Sequence, residues 1–188
     1  MNRRDALSRV ALILGGTVIG AEAFLSGCKT KKYGESLNFS PDDIAYLDEV
    51  AETILPATDT PGAKDAKVGE FMAVIVRDCY DEKDQKTFLE GMKKLEDASK
   101  KKNNKTFMES TAEERHNLLV DLDKEANEYK KNKKGDDPSH YFSLMKQLTL
   151  WGYFTSEPGA TKALRYVPVP GRYEGCIPYN KGDRAWAT

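Results

Sequence analysis

Apolar residues recur at steps of three and four along most of this chain, which predicts helices packed through one face each. Ile44, Leu47, Val50, Ala51 and Ile54 form the first stripe. Ser40-Pro41-Asp42-Asp43 starts it, with a capping serine, a first-turn proline and acids at the positive end of the dipole. Pro56 ends it. Val68, Phe71, Met72, Ile75, Val76, Cys79 and Tyr80 share the face of a second helix. A third is expected from Glu82 to Ser99, with Phe88, Leu89, Met92 and Leu95 inward. Thr111-Ala112-Glu113-Glu114 is a capping-box pattern, with Phe107 placed to pack nearby. It opens a fourth helix carrying Leu118, Leu119, Leu122, Ala126 and Tyr129. Asp137-Pro138 opens a fifth, with Phe142, Met145, Leu148 and Thr149, and a short sixth is expected over Pro158 to Arg165. Period-two alternation is scarce, so the fold expected is all-α: one domain of about five main helices.

Two segments break this pattern. Arg3, Arg4 and Arg9 precede an apolar run from Val10 to Leu25, which ends in Leu25-Ser26-Gly27-Cys28. A basic start, a short apolar stretch and small residues before a cut describe a bacterial export signal over residues 1–27. The tetrapeptide resembles a lipobox, which implies that Cys28 is acylated and becomes the mature N-terminus on the periplasmic side of the envelope. Arg3-Arg4 with Leu7 also resembles a twin-arginine signal, although Asp5 and Ala6 stand before Leu7. Residues 28–37 read as a short tether and 38–188 as the helical domain. At the other end, the stretch from Val167 to Tyr179 holds three prolines and two glycines among apolar and aromatic residues. It reads as an extended strap, lying either on its own helices or on a partner protein.

Composition narrows the function. The chain has 188 residues with 29 basic and 30 acidic side chains, which excludes the basic footprint of a nucleic-acid binder. Losing the signal removes three arginines, Asp5 and Glu22, and leaves a net charge of −2, too small to steer a partner. Lysine runs at 100–105 and 130–134 read as solvated loops. His116 and His140 are the only imidazoles, and neither has a histidine or cysteine at a ligand spacing, so no metal site is expected. There is no Gly-rich phosphate loop in a strand–helix context, so no nucleotide-type cofactor is expected on this chain. Asp42, Asp43, Asp48, Glu49 and Glu52 read as a helix cap and a solvated face. Asp59 reads as an Asx turn between Thr58 and Thr60. An oxidising compartment permits a Cys79–Cys176 bridge stapling the strap to the second helix; Cys79 also fits as a small free core residue.

Two stretches carry more than pattern: Ile54-Leu55-Pro56-Ala57-Thr58-Asp59-Thr60-Pro61-Gly62-Ala63, and Gly152-Tyr153-Phe154-Thr155-Ser156-Glu157-Pro158-Gly159 continuing through Tyr166 and Pro168 to Pro170-Gly171-Tyr173-Gly175-Cys176, with Ala185-Trp186 near the end. With the arginine-led signal they resemble the gluconate 2-dehydrogenase subunit 3 family. The resemblance implies a small subunit without cofactor or catalytic residues, accompanying a large flavoprotein that holds FAD and oxidises a sugar or sugar acid. Some complexes of that kind add a haem subunit. The partner contacts expected on this chain are Pro56, Thr58, Asp59, Thr60 and Pro61 in the first stretch. In the strap they are Tyr166, Pro168, Pro170 and Tyr173, with Trp186. The lipobox departs from the family's pattern. The other reading is a stand-alone lipoprotein that takes a small ligand in a pocket lined by the strap's tyrosines.

Overall fold

A computed structural model describes residues 32–169, 171–172 and 174–187. Cys28, Arg3, Arg4, Pro170 and Tyr173, and with them the signal and the lipid site, lie outside the described residues. From Tyr33 the chain forms one helical unit. Helix α1 covers Pro41–Ile54, α2 Val68–Asp78, α3 Glu82–Asn103, α4 Ala112–Asn132 and α5 Tyr141–Thr155. A π-helical turn, Gly159–Ala163, follows where the short sixth helix was expected. The described residues form no strand, only an isolated bridge between Arg165 and Trp186. The all-α architecture expected from the sequence is the one observed.

Both sequence-legible caps are present. Ser40 and Asp43 form a reciprocal capping box on α1, and Thr111 and Glu114 form another on α4. Three boundaries differ from expectation. Helix α3 runs past Ser99 to Asn103 and stops at Asn104, whose φ of 54° is left-handed. Lys100, Lys101 and Lys102 are therefore its last turn, and Lys130 and Lys131 the last turn of α4. Cations there offset the negative dipole end, so the first part of each run extends a helix, while Lys105, Lys133 and Lys134 fall in the loops that follow, as expected. Helix α5 starts at Tyr141, three residues after Pro138, because His140 supplies the cap. Helix α2 ends at Asp78, so Cys79 is its exposed C-cap and not a core residue.

The core gathers around α5, which touches every other helix and the π turn. Its buried positions are Tyr141, Phe142, Leu144, Met145, Leu148, Thr149, Gly152 and Tyr153. Facing them are Leu47 and Val50 of α1, Met72 and Val76 of α2, Phe88, Met92 and Leu95 of α3, and Leu118 and Leu122 of α4. Each large side chain buried this way contributes roughly 1.5–3 kcal/mol. Two glycines set the spacing. A Cβ at Gly91 would meet that of Tyr141 at 2.5 Å, and one at Gly152 would meet the Phe71 ring at 2.6 Å. Phe107 is fully buried, as expected, whereas Tyr129 is exposed and donates its hydroxyl to Pro138 O at 2.9 Å.

The entering chain is bound earlier than a tether over 28–37 implied. Tyr33 is buried and stacks on Tyr46 at 4.2 Å between ring centroids. The Gly34 amide donates to Asp43 Oδ1 at 3.0 Å. Gly34 has a φ of +67°, and an added Cβ would sit 2.5 Å from Leu89 O. Tyr33 and Gly34 therefore belong to the helical unit.

His140 caps α5 by accepting the Phe142 amide at Nδ1, 3.3 Å away, which requires that nitrogen unprotonated. Burial lowers its pKa below 6.5, against the opposing pull of Glu125 beside Nε2. The unfolded chain takes up a proton at the ordinary imidazole value while the folded chain resists it. The cap's stability is thus full above that value and is lost as pH falls through the folded pKa. We expect Tm to fall between about pH 7.5 and 5.5, and His140→Asn, which keeps an acceptor without the titration, to fall less; equal slopes in thermal melts would contradict this.

Candidate functional site

The loop after α1 is exposed yet tightly held. Pro56, Ala57, Thr58 and Asp59 all face solvent. Its backbone donors are met by Glu52: the Ala57 and Lys64 amides each reach one of its carboxylate oxygens at 2.8 Å. The Thr58 amide donates to Thr60 O at 3.0 Å, and the Ala63 amide to Leu55 O at 3.0 Å. Asp59, expected to accept local backbone donors, accepts none; Glu52 takes that role from the preceding helix. Gly62 is required where it stands, because a Cβ would lie 2.4 Å from the Glu52 carboxylate and 2.6 Å from Ala57 N. Glu49 accepts Lys64 Nζ at 2.7 Å and pairs with Arg115 of α4, whose guanidinium also lies over Phe107. Burial lowers the pKa of Arg115. Asp48 accepts the Gly69 amide at 2.7 Å. In the acidic row of α1, Asp43 is the expected cap and Asp42 is exposed, whereas Asp48, Glu49 and Glu52 fasten neighbouring segments instead of forming a solvated face.

The second stretch meets this loop directly. Tyr153 donates its hydroxyl to Pro61 O at 2.7 Å, across 92 positions of sequence. Ser156 Oγ donates to Tyr153 O at 2.6 Å and accepts the Gly159 amide at 3.2 Å. Gly159 lies so close to the end of α5 that a Cβ would fall 1.8 Å from Tyr153 O. The glycines, the serine and the tyrosine of this stretch thus shape a turn and join it to the loop.

From Arg165 the strap leaves the helices and returns to the same place. The Arg165 amide donates to Ala185 O at 2.8 Å, and the Ala187 amide to Arg165 O at 2.9 Å. The Arg165 guanidinium stacks on the Trp186 ring, 4.4 Å from its centroid. Arg184 reaches back to Lys162 O at 2.6 Å. Between these ends the chain is exposed: Tyr166, Val167, Pro168, Val169, Ile177 and Tyr179 all face solvent, and Trp186 itself is 47% exposed. Of the two surfaces the strap was expected to lie on, its own helices do not cover it. Val167, Val169, Ile177 and Trp186 line an open hollow of about 590 Å³. Tyr166 and Tyr179 are not part of that described lining, and Tyr173 lies outside the described residues. Cys79 and Cys176 are both exposed and unbridged.

The expected contact residues therefore divide into two joined surfaces. Pro56 to Pro61 form a rigid loop at the end of α1, and Tyr166, Pro168 and Trp186 belong to a clasped apolar strap beyond the π turn. Glu52 and Tyr153 hold the first surface and were not singled out for it in the sequence. A carboxylate one turn before a proline-ended helix was the available signal for Glu52. His116 is exposed on α4, and the described residues hold no cluster of three His, Cys, Asp or Glu arranged for a metal. An open groove of about 760 Å³ runs between α4 and α5 past Lys130, Lys133, His140, Lys146 and Trp151.

One family model matches the chain, that of gluconate 2-dehydrogenase subunit 3, over residues 41–171. No curated protein matches, and no solved structure does. The match spans every helix, the loop after α1 and the first part of the strap. Its extent exceeds two thirds of the chain, and the loop and turn that Tyr153 joins lie wholly within it: this chain belongs to the gluconate 2-dehydrogenase subunit 3 family.

Proposed function

We propose that this chain is the non-catalytic small subunit of a flavin-dependent dehydrogenase, held at the envelope by acyl chains on Cys28. In this reading FAD belongs to the large partner, and the small subunit binds and matures that partner on the periplasmic side. The observation that carries it is the exposed Arg165–Trp186 strap beside the pinned Pro56–Pro61 loop. Apolar and aromatic side chains stand in solvent there on a backbone already fixed by Glu52, Tyr153 and the clasp. Tyrosine and tryptophan favour interfaces, and a preformed loop loses little freedom on binding.

The test is affinity purification of the full-length chain from detergent-solubilised envelopes of its native host. A large flavin-containing oxidoreductase should be recovered with it; recovery of the chain alone would refute the proposal. Tyr179→Ala with Trp186→Ala should lose the partner at least about tenfold, as interface aromatics do, with Tm shifted by only a few degrees. A collapse of thermal stability would instead make the strap a structural element. Tyr153→Phe removes the bond to Pro61 and should cost about 1 kcal/mol in urea denaturation. Partner recovery should weaken with it, since the loop then has to be ordered on binding.

A further inference from the structure

The end of the domain where the chain enters lies opposite the end that carries both motif stretches. Gly34 is bonded to Asp43 in the first turn of α1, and Tyr33 is stacked alongside on Tyr46. The Pro56–Pro61 loop leaves α1 from its other terminus, and Tyr153 fastens the end of α5 to that loop. From Asp43 to Leu55 the helical rise separates the two ends by about 18 Å. The π turn and the clasped strap follow α5, so they belong to the loop's end. Beside the entry point, Glu35 and Leu37 line a shallow hollow with Lys86, Glu90 and Lys93 of α3.

Cys28 precedes Tyr33 by five residues, a reach of at most about 18 Å fully extended. Beyond Tyr33 there is no slack, because the ring is buried and Gly34 is locked against Leu89. Resting on the reading that Cys28 carries lipid, we propose that the Tyr33 end and the adjoining surface of α3 face the lipid headgroups. The loop and strap then point away from the bilayer. Lys29, Lys31 and Lys32 in the link favour anionic headgroups. The neighbouring α3 surface mixes signs, with Lys86 and Glu90 paired at 4.0 Å, so it sets no repulsive field against them. A short link to a rigid attachment point makes this end the near one, and a partner seated on the strap is held a domain's height above the membrane.

The experiment uses the full chain, exported and processed, carrying Cys79→Ser and Cys176→Ser with one fluorophore on either Lys86→Cys or Thr58→Cys. Vesicles of phosphatidylethanolamine and phosphatidylglycerol containing headgroup-nitroxide lipid supply the quencher. Quenching at position 86 should exceed that at position 58 by about threefold or more. Inserting about ten Gly/Ser residues before Lys32 should shrink that ratio towards one, since a flexible linker frees the domain to tumble. Equal or reversed quenching in acylated protein overturns the orientation, as does a ratio unaffected by the insertion. Intact mass reads acylation separately: protein without acyl chains removes the anchor itself and the orientation with it, whatever the partner purification shows.

Discussion

Helix α5 buries eight of its fifteen residues, more than any other helix of the domain, and leaves Leu150, Trp151 and Phe154 on an open side. That burial organises the domain. Four helices and a π turn surround it, and each approach is set by a small residue or a satisfied polar group. Gly91 admits Tyr141, Gly152 admits Phe71, and Thr149 returns its hydroxyl to Met145 O at 2.8 Å so that no donor is stranded in the core. The two ends of α5 are fixed by different chemistry. His140 caps the start with a neutral imidazole, and Tyr153 ties the last turn to the loop after α1. The surface loop is therefore positioned by the most buried helix, which is why it is rigid although Pro56 to Asp59 face solvent.

Much of this was legible in the sequence. The stripes containing Leu47, Val50, Met72, Val76, Phe88, Met92, Leu95 and Leu118 are buried, because a period near 3.6 reports a covered helix face directly. Both capping boxes were legible because their partners lie three residues apart. What escaped was set by contacts distant in sequence. Tyr33 sits in a stretch with no periodicity, and its burial comes from contacts such as the Tyr46 ring, distant in sequence. The lysine runs look like loops by charge alone, yet their cations suit the negative ends of α3 and α4. The histidine cap needs a specific tautomer and a helix that starts three residues after its proline.

The candidate surface divides along the same line. Irregular backbone over the strap followed from its prolines and glycines, and its described aromatics Tyr166, Tyr179 and Trp186 are exposed. The rigidity of the Pro56–Pro61 loop was not, because Glu52, Tyr153 and Gly62 hold it from three places in the chain. Asp59, the loop's own carboxylate, looked the natural holder and holds nothing. Asp43 was legible as a cap, but Asp48, Glu49 and Glu52 read as a solvated face because their bonds run to segments that sequence order places elsewhere.

The clasp between Arg165 and Trp186 also decides where an entropy cost falls. Closing a loop of this length costs about 2.7 kcal/mol in its length-dependent part alone. Here that cost is met within the domain, by two backbone bonds and a guanidinium lying on an indole. The strap's closure is thus complete in the chain by itself, before any docking of the kind proposed above. Arg165 and Trp186 fix the two ends of a segment whose described side chains between them stand in solvent.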